Sequence, residues 1–339
     1  LGLSGGLDSM ALLYLLKNFL ENNKKFEIEI FPIIIDHSLR QGSNKEAYQV
    51  QNVSQQLGFK TTIKKIYSKI PTGNIQNWAR KKRRDMLCQI SYKLSANLLL
   101  AHHFDDQAET LFMRFAKKSG LNGLQGMQPI IFWNGILIIR PLLSFKKEQL
   151  KSFVDHKKII IFEDSSNAML KFDRVKTRYL LQKLSEKNWP HISRDLYNFS
   201  NIINILIKKI NSISADWISQ NILIDNSGAA RVNYNNMKVI FGKSNLFTIN
   251  IFGKIIQTVG GNQKKKKRKE TYRLICSIFN NDIKNKTLGN VKIFVKNNYL
   301  FFIRESRNIL FNIEIKKGII YLFDGRFLIV SDISGNLIP

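Results

Sequence analysis

Cysteine is scarce in this chain: Cys88 and Cys276 are the only two. They are too far apart to form a C-x-x-C pair, which excludes a zinc ribbon or a thioredoxin-type motif and leaves two reduced thiols. Long apolar runs are missing too. Asn, Lys and Asp interrupt each stretch before the roughly 18 residues of a membrane helix accumulate, so no membrane span is expected. No G-x-x-x-x-G-K-S/T loop occurs, which excludes the kinase-type phosphate site. No internal repeat is present. Acidic residues are in short supply, 25 Asp and Glu against 53 Lys and Arg, for a net charge of +28. Such an excess favours a polyanionic partner, because phosphate contacts supply most of the affinity for nucleic acid. The chain is also rich in Ile, Lys, Asn and Phe, whose codons are A/T-rich, so genomic composition is a second source of lysine.

The 339 residues, with 44% hydrophobic and 23% charged, suffice for two or three globular domains. The chain opens on Leu1, inside what reads as a strand, so residues upstream are expected; no targeting peptide is indicated. Short apolar runs alternate with amphipathic stretches, the pattern of βαβ units and a parallel sheet. Strands are expected at residues 1–3, 26–35, 60–66, 97–101, 136–139 and 159–162. Helices are expected at 10–20, 45–57, 75–94, 105–116, 146–156 and 174–184. The predicted organisation is an α/β parallel-sheet domain over 1–188, a helical connector over 189–226, a small α/β domain over 227–305 and a short β-rich segment over 306–339.

Ser4-Gly5-Gly6-Leu7-Asp8-Ser9 lies between a strand and an apolar helix. Glycines let backbone approach a ligand, and a helix N-terminus offers free N–H groups to an anion. Asp8 would repel phosphate alone but suits Mg²⁺, a hard ion that prefers carboxylate and phosphate oxygens. A capped turn would draw on the same residue types. His103-Phe104-Asp105-Asp106-Gln107-Ala108-Glu109-Thr110 sets one imidazole and three carboxylates at a helix start. Asp106 and Glu109, three apart, share a face, although D-x-x-E is also a capping-box pattern. The loop, Asp36-His37 and the His102–Asp106 stretch all fall at carboxyl ends of expected strands, where open sheets bind ligands.

The S-G-G-x-D-S loop resembles that of the ATP pyrophosphatase superfamily, which cleaves ATP between its α and β phosphates. In order along the chain, this loop, Asp36-His37-Ser38-Leu39-Arg40, His103 to Thr110, Arg140-Pro141-Leu142-Leu143 and Asp164-Ser165-Ser166-Asn167 resemble the tRNA(Ile)-lysidine synthetase family over roughly residues 1–190. The resemblance implies an adenine nucleotide alpha hydrolase-like fold and an AMP-forming carbon–nitrogen ligase in the cytoplasm. Such an enzyme joins free L-lysine to C2 of the wobble cytidine, C34, of tRNA(Ile) with a CAU anticodon. It also implies that Ser4, Gly5, Gly6, Leu7, Asp8, Ser9 and Asp36 bind ATP, with Asp8 on Mg²⁺. Asp106 and Glu109 would then hold lysine, and Asp8, Arg80, His103, Asp106 and Glu109 would serve catalysis. The family's E-x-x-A-R element stands here as Gln76-Asn77-Trp78-Ala79-Arg80, and R-N-x-I/L-R as Arg174-Val175-Lys176-Thr177-Arg178, so a Glu and an Asn are replaced.

Expected tRNA contacts are Arg80, Arg83, Arg84, Arg174, Arg178 and the run containing Lys266, Lys267 and Arg268, which reads equally as a solvated loop. Rival readings are another tRNA-modifying enzyme of thiolase type, for which the cysteines are poorly placed, and a non-catalytic tRNA-binding relative. Oligomeric state, a homodimer included, is left open.

Overall fold

The computed structural model describes residues 1–36, 42–67, 71, 73, 75–133, 135–162, 173–261, 268–280, 285–306, 313–318 and 320–337. His37, Arg40, Asp164 to Asn167, Lys266 and Lys267 lie outside the described residues. The chain divides into two compact units, Leu1–Asn204 and Ile205–Pro339.

In the first unit, β1 (Gly2–Leu3) leads through the glycine loop into α1 (Leu7–Asn22). Met10, Ala11, Leu12 and Leu13 of α1 are all within 2% of full burial, so the helix is apolar nearly all round because it packs against the sheet. Met10, Leu12 and Leu13 each contribute about 1.5–3 kcal/mol. Then follow β2 (Ile33–Asp36), α2 (Ser43–Gln56) and β3 (Thr62–Lys65), with β1–β2 and β2–β3 both parallel. Gly58, at φ +88°, takes the left-handed turn just after α2, as its place in the sequence implies.

Next come α3 (Ile75–Lys93), β4 (Leu98–Leu99), α4 (Phe104–Ala116), α5 (Leu121–Leu124), β5 (Ile130–Trp133), β6 (Ile136–Ile139), α6 (Lys147–His156) and α7 (Asp173–Lys187). β4 pairs parallel with β6, and β5 pairs antiparallel with β6. A Cβ on Gly2 would come within 3.8 Å of the Leu99 carbonyl oxygen, so β4 passes close to β1, although among the described residues β1-β2-β3 and β4-β6-β5 are separate sheets.

Two expectations are corrected. The strand expected from residue 26 forms only from Ile33, and residues 159–162 form no strand. Ile159 is buried, and the Phe162 amide donates a single bond, 3.0 Å, to the Gly5 carbonyl. The segment straps the loop and makes no ladder.

α8 (Ile192–Asn221) runs through the division between the units. The second unit has β7 (Ile222–Ile224), β8 (Ala230–Asn233), α9 (Tyr234–Lys243), α10 (Asn245–Val259), α11 (Arg268–Phe279), β9 (Lys286–Leu288), β10 (Val291–Lys296) and β11 (Tyr299–Arg304). Its sheet is antiparallel throughout, in the order β7-β8-β11-β10-β9. One face supplies Val232, Ile293, Leu300 and Phe302 to a core shared with Ile251, Phe252 and Ile275 of the helices. The β10–β11 turn is Asn297-Asn298 with φ +49° and +62°, the double left-handed geometry that tight hairpins require. Short antiparallel pairs follow: β12 (Ile313–Ile315) with β15 (Gly335–Leu337), and β13 (Tyr321–Phe323) with β14 (Phe327–Ile329). Among the described residues no helix is long and apolar enough to cross a membrane.

Candidate active site

The loop between β1 and α1 is shaped by its glycines and serines. Gly5 has φ +81°, and a Cβ there would fall 2.5 Å from Val50 Cγ2. Gly6 is the α1 N-cap and makes no side-chain cap. Ser9 Oγ donates to the Gly6 carbonyl at 3.0 Å and accepts from the Ser4 amide at 3.2 Å, with Ser4 Oγ 3.1 Å away. These bonds hold the loop open at the start of α1, where Leu7 and Asp8 form the first turn.

Across from the loop stands the start of α4. His103 caps that helix: its Nδ1 accepts from the Asp105 amide at 3.2 Å, and its own amide donates to Asp106 Oδ2 at 3.1 Å. His103 Nε2 then lies 3.6 Å from both Asp8 Oδ2 and Asp106 Oδ2. The loop and the acidic helix start therefore form one site. Asp105 Oδ2 accepts from the Lys147 amide at 2.8 Å, tying α6 to the same corner. The capping box is formed by His103 and Asp106, one turn before the D-x-x-E spacing places it, so Glu109 takes no part in capping α4.

α7 contributes Arg174 and Arg178. Arg174 Nη2 bonds Asp106 Oδ1, its Nε donates to Glu109 Oε2 at 2.5 Å, and Arg178 Nε donates to Glu109 Oε1 at 2.6 Å. Glu109 is nearly buried, with 3% of its side chain exposed, so unpaired it would be costly.

The charges follow. Burial opposes ionisation of Asp106, but Arg174 and His103 outweigh it and hold its carboxyl down at about 2. Burial likewise opposes charge on His103, and the carboxylates of Asp105, Asp106 and Asp8 outweigh it and raise its pKa. Once charged, Nδ1–H faces Asp105 Oδ2 at 3.4 Å. Asp8 moves the other way: burial raises its carboxyl, against His103 and with Asp106. Desolvation, then repulsion from Arg174 and Arg83, lowers Arg80 to about 10, although its side chain reaches the surface. It remains a cation at neutral pH.

Asp8 Oδ1 is buried without a hydrogen-bond partner. Among the described residues, no three His, Cys, Asp or Glu side chains gather as a metal-ligand set. One unsatisfied carboxylate oxygen at such a loop would suit Mg²⁺, which takes few protein ligands and completes its shell with phosphate and water oxygens.

Other expected residues fall elsewhere. Asp36 ends β2, buried, and accepts from Ser43 Oγ at 2.9 Å. Arg84 sits over the Trp133 ring at 5.2 Å and beside Asp85 at 3.7 Å. Arg83 lies on α3, close enough to Arg80 to repel it. Arg268 begins α11 in the second unit and is exposed. His102 belongs to no motif of the sequence: burial lowers its pKa to about 4, and its Nδ1 has no partner. Its signal was its place between β4 and the acidic block. A groove lined by Tyr92, Ser95, Asn97 and Gly135 lies before β4 and β6, at the opposite strand ends from this site.

A glycine loop that opens a buried helix, facing carboxylates at neighbouring strand ends, defines a nucleotide-handling α/β domain. The chain belongs to the PP-loop domain family, which matches residues 1–184. It is similar to the tRNA(Ile)-lysidine synthase of Rickettsia africae (strain ESF-5), 36% identical over 198 residues, 58% of this chain and 40% of that protein. It is also similar to the tRNA(Ile)-lysidine synthase of Wolbachia pipientis wMel, 39% identical over 181 residues, 53% of this chain and 42% of that protein. The matches thus span under half the length of these relatives. A U34-tRNA thiolase from Methanococcus maripaludis, solved with its 4Fe-4S cluster, shares the fold with a TM-score of 0.51 at 17% identity, covering 60% of this chain and 70% of that one.

Proposed function

We propose that this chain carries the ATP-dependent, AMP-forming active site of a tRNA(Ile)-lysidine synthase. The observation that carries the reading is the 3.6 Å approach of His103 Nε2 to Asp8 Oδ2 and Asp106 Oδ2, which sets a phosphate loop against a carboxylate site. The similarity to two synthases of that name supports the choice of substrate.

In this reading Ser4, Gly5, Gly6, Leu7 and Ser9 cradle the ATP phosphates, and Asp36 lies at the next strand end. Mg²⁺ held by Asp8 would neutralise charge on the departing pyrophosphate. C2 of the wobble cytidine bears a carbonyl oxygen, which cannot leave as oxide; transfer of AMP to it creates a leaving group. The ε-amine of lysine then attacks C2 and AMP departs. With an ordinary pKa near 10.4, that amine is neutral in about one molecule in 2,500 at pH 7, and deprotonation costs roughly 4–5 kcal/mol. A nearby base therefore matters. Asp106, Glu109 or His103 serves as that base; with Nδ1 accepting from the Asp105 amide, neutral His103 carries its proton on Nε2 and takes a second one only by giving up that bond. Glu109 and Asp106 receive the lysine. Both Glu109 oxygens already serve arginines, and each retains a lone pair for an ammonium.

Arg80, with Arg83 beside it on α3, supplies cations to the tRNA backbone, and residues 227–305 add RNA contacts through the stretch containing Lys266, Lys267 and Arg268. A cytoplasmic setting, where ATP, free lysine and tRNA meet, fits this chemistry. Incubation with labelled lysine, ATP and total tRNA tests the whole reading. Lysine-dependent label in tRNA, with AMP and pyrophosphate released, is expected. ATP-dependent sulfur transfer would select the thiolase reading, and RNA binding without turnover the non-catalytic one.

A further inference from the structure

The sheet of the second unit has two unlike faces. Along β8, β10 and β11, alternate residues enter the core, and the residues between them point outward, as the two-residue period of a strand dictates. The outward set includes Arg231, Lys292, Phe294, Lys296, Tyr299 and Phe301. No outward position of these three strands carries a carboxylate.

The rings and cations form one continuous strip. Phe294 and Phe301 are direct cross-strand partners, stacked with centroids 5.3 Å apart and planes within 11°. Tyr299 continues the row, 6.5 Å from Phe301. Arg231 lies over the Tyr299 ring at 5.6 Å, and Lys292 over Phe294 at 5.8 Å. Arg231, Lys292 and Tyr299 are exposed, and the two phenylalanines are half-buried.

A structural role alone accounts for part of this, since a cross-strand aromatic pair stabilises a sheet by about 0.2–1 kcal/mol. It does not account for the cations seated over the rings at Tyr299 and Phe294; the lack of acids there follows in part from a chain with only 25 Asp and Glu. A solvated sheet face ordinarily mixes both charge signs. Flat rings flanked by cations and free of carboxylates match unpaired nucleotides, whose bases stack on aromatic faces while Lys and Arg meet the phosphates. A duplex, with its bases already stacked on each other, has less to gain from the rings.

We infer that this face is a binding platform for unpaired RNA, separate from the site at the glycine loop. The rings supply stacking and Arg231, Lys292 and Lys296 supply phosphate contacts.

The test is fluorescence anisotropy of the full chain with a labelled single-stranded RNA of about ten nucleotides, and with the same sequence as a duplex. A Tyr299→Leu/Phe301→Leu variant keeps an apolar face but removes two rings. It should lose single-strand affinity on the order of tenfold per ring, and duplex affinity much less. An Arg231→Gln/Lys292→Gln variant should lower the log–log salt slope by about 0.7 for each lost phosphate contact. These two positions are exposed, so this second variant carries the test if the first melts early. Unchanged affinity and slope overturn the inference, as does equal loss on strand and duplex. A change in self-association with RNA affinity intact also overturns it and assigns the face to a protein partner. No ATP or lysine is present in the assay, so its outcome is independent of whether the chain makes lysidine.

Discussion

Asp8 Oδ2 lies 3.6 Å from His103 Nε2, bringing the glycine loop and the start of α4 into one site. Residues 95 apart in sequence are close here because β1 leads into the loop, and β4, which passes close to β1, leads into the start of α4. The geometry gives Asp8 an awkward environment: burial raises its carboxyl, and Oδ1 has no partner. A carboxylate in such surroundings, set in a phosphate-type loop, is a candidate functional group.

Asp8→Asn should therefore separate activity from stability. Pyrophosphate release should fall about 100-fold or more, since charge neutralisation at a leaving phosphate is worth several kcal/mol. The melting temperature should stay level or rise by about 2–4 °C, because the raised pKa marks the charged form as disfavoured in the fold. Unchanged pyrophosphate release would remove Asp8 from the metal role.

The arginines on Glu109 frame a second test. Glu109→Gln takes one of two carboxylates from Arg174, which keeps Asp106, and the carboxylate partner of the partly exposed Arg178, so stability should drop by roughly 1–3 kcal/mol. In the protein that stays folded, lysine incorporation should weaken more than ATP–pyrophosphate exchange, with the larger effect in KM for lysine. Asp106→Asn should show the same ordering. Equal loss of both activities would contradict the assignment of these acids to lysine.

How much of this was legible beforehand depended on distance along the chain. The loop, the acidic block and their place at strand ends follow from local pattern: Gly beside Asp at a strand–helix junction, and His103, Asp106 and Glu109 three apart. The ion pairs from Arg174 and Arg178 to residues 65 and more positions away leave no local trace, so the sequence marks those arginines as a family element and as tRNA contacts without indicating that they pair with the acidic block. β5 was missed although Asn134-Gly135 is a hairpin dipeptide, because an antiparallel edge strand breaks the βαβ rhythm. Residues 159–162 have a strand's composition, yet Ile159 bonds back to Val154 and Phe162 bonds to Gly5, so tertiary placement overrode the apolar pattern.

The site also sets two pH limits on stability. His103 has its folded pKa raised above 6.5, so its contribution is complete below that value and is lost as pH rises through the raised one. Asp106 is lowered from 3.8 to about 2, so its contribution is complete above 3.8 and is lost as pH falls toward 2. That depression corresponds to about 2 kcal/mol. Thermal melts between pH 3 and 9 should decline at both ends. His103→Gln should flatten the alkaline limb and Asp106→Asn the acidic one; an alkaline limb unaltered in His103→Gln would assign that decline to other groups.

Gly5 and Gly6 should respond differently to the same added methyl group. Gly6 has an ordinary φ of −71°, and a Cβ there meets only Ser4 Oγ at 3.8 Å. Gly6→Ala should cost little in stability, within about 1 kcal/mol. Gly5 sits at φ +81° with Val50 Cγ2 2.5 Å from the new Cβ. Val50 is buried, and as a β-branched residue in a helix it has one strongly preferred rotamer. Gly5→Ala combines roughly 1–2 kcal/mol of left-handed strain with about 1–3 kcal/mol of overpacking. Adding Val50→Ala should return the steric part and leave the backbone part, measurable as a coupling in a double-mutant cycle. Since the Gly5 carbonyl also receives the Phe162 amide, a shift here opens the strap over the loop, and ATP affinity measured by calorimetry should fall in step with stability. If Gly5→Ala melts like Gly6→Ala and binds ATP unchanged, the loop does not depend on its left-handed turn.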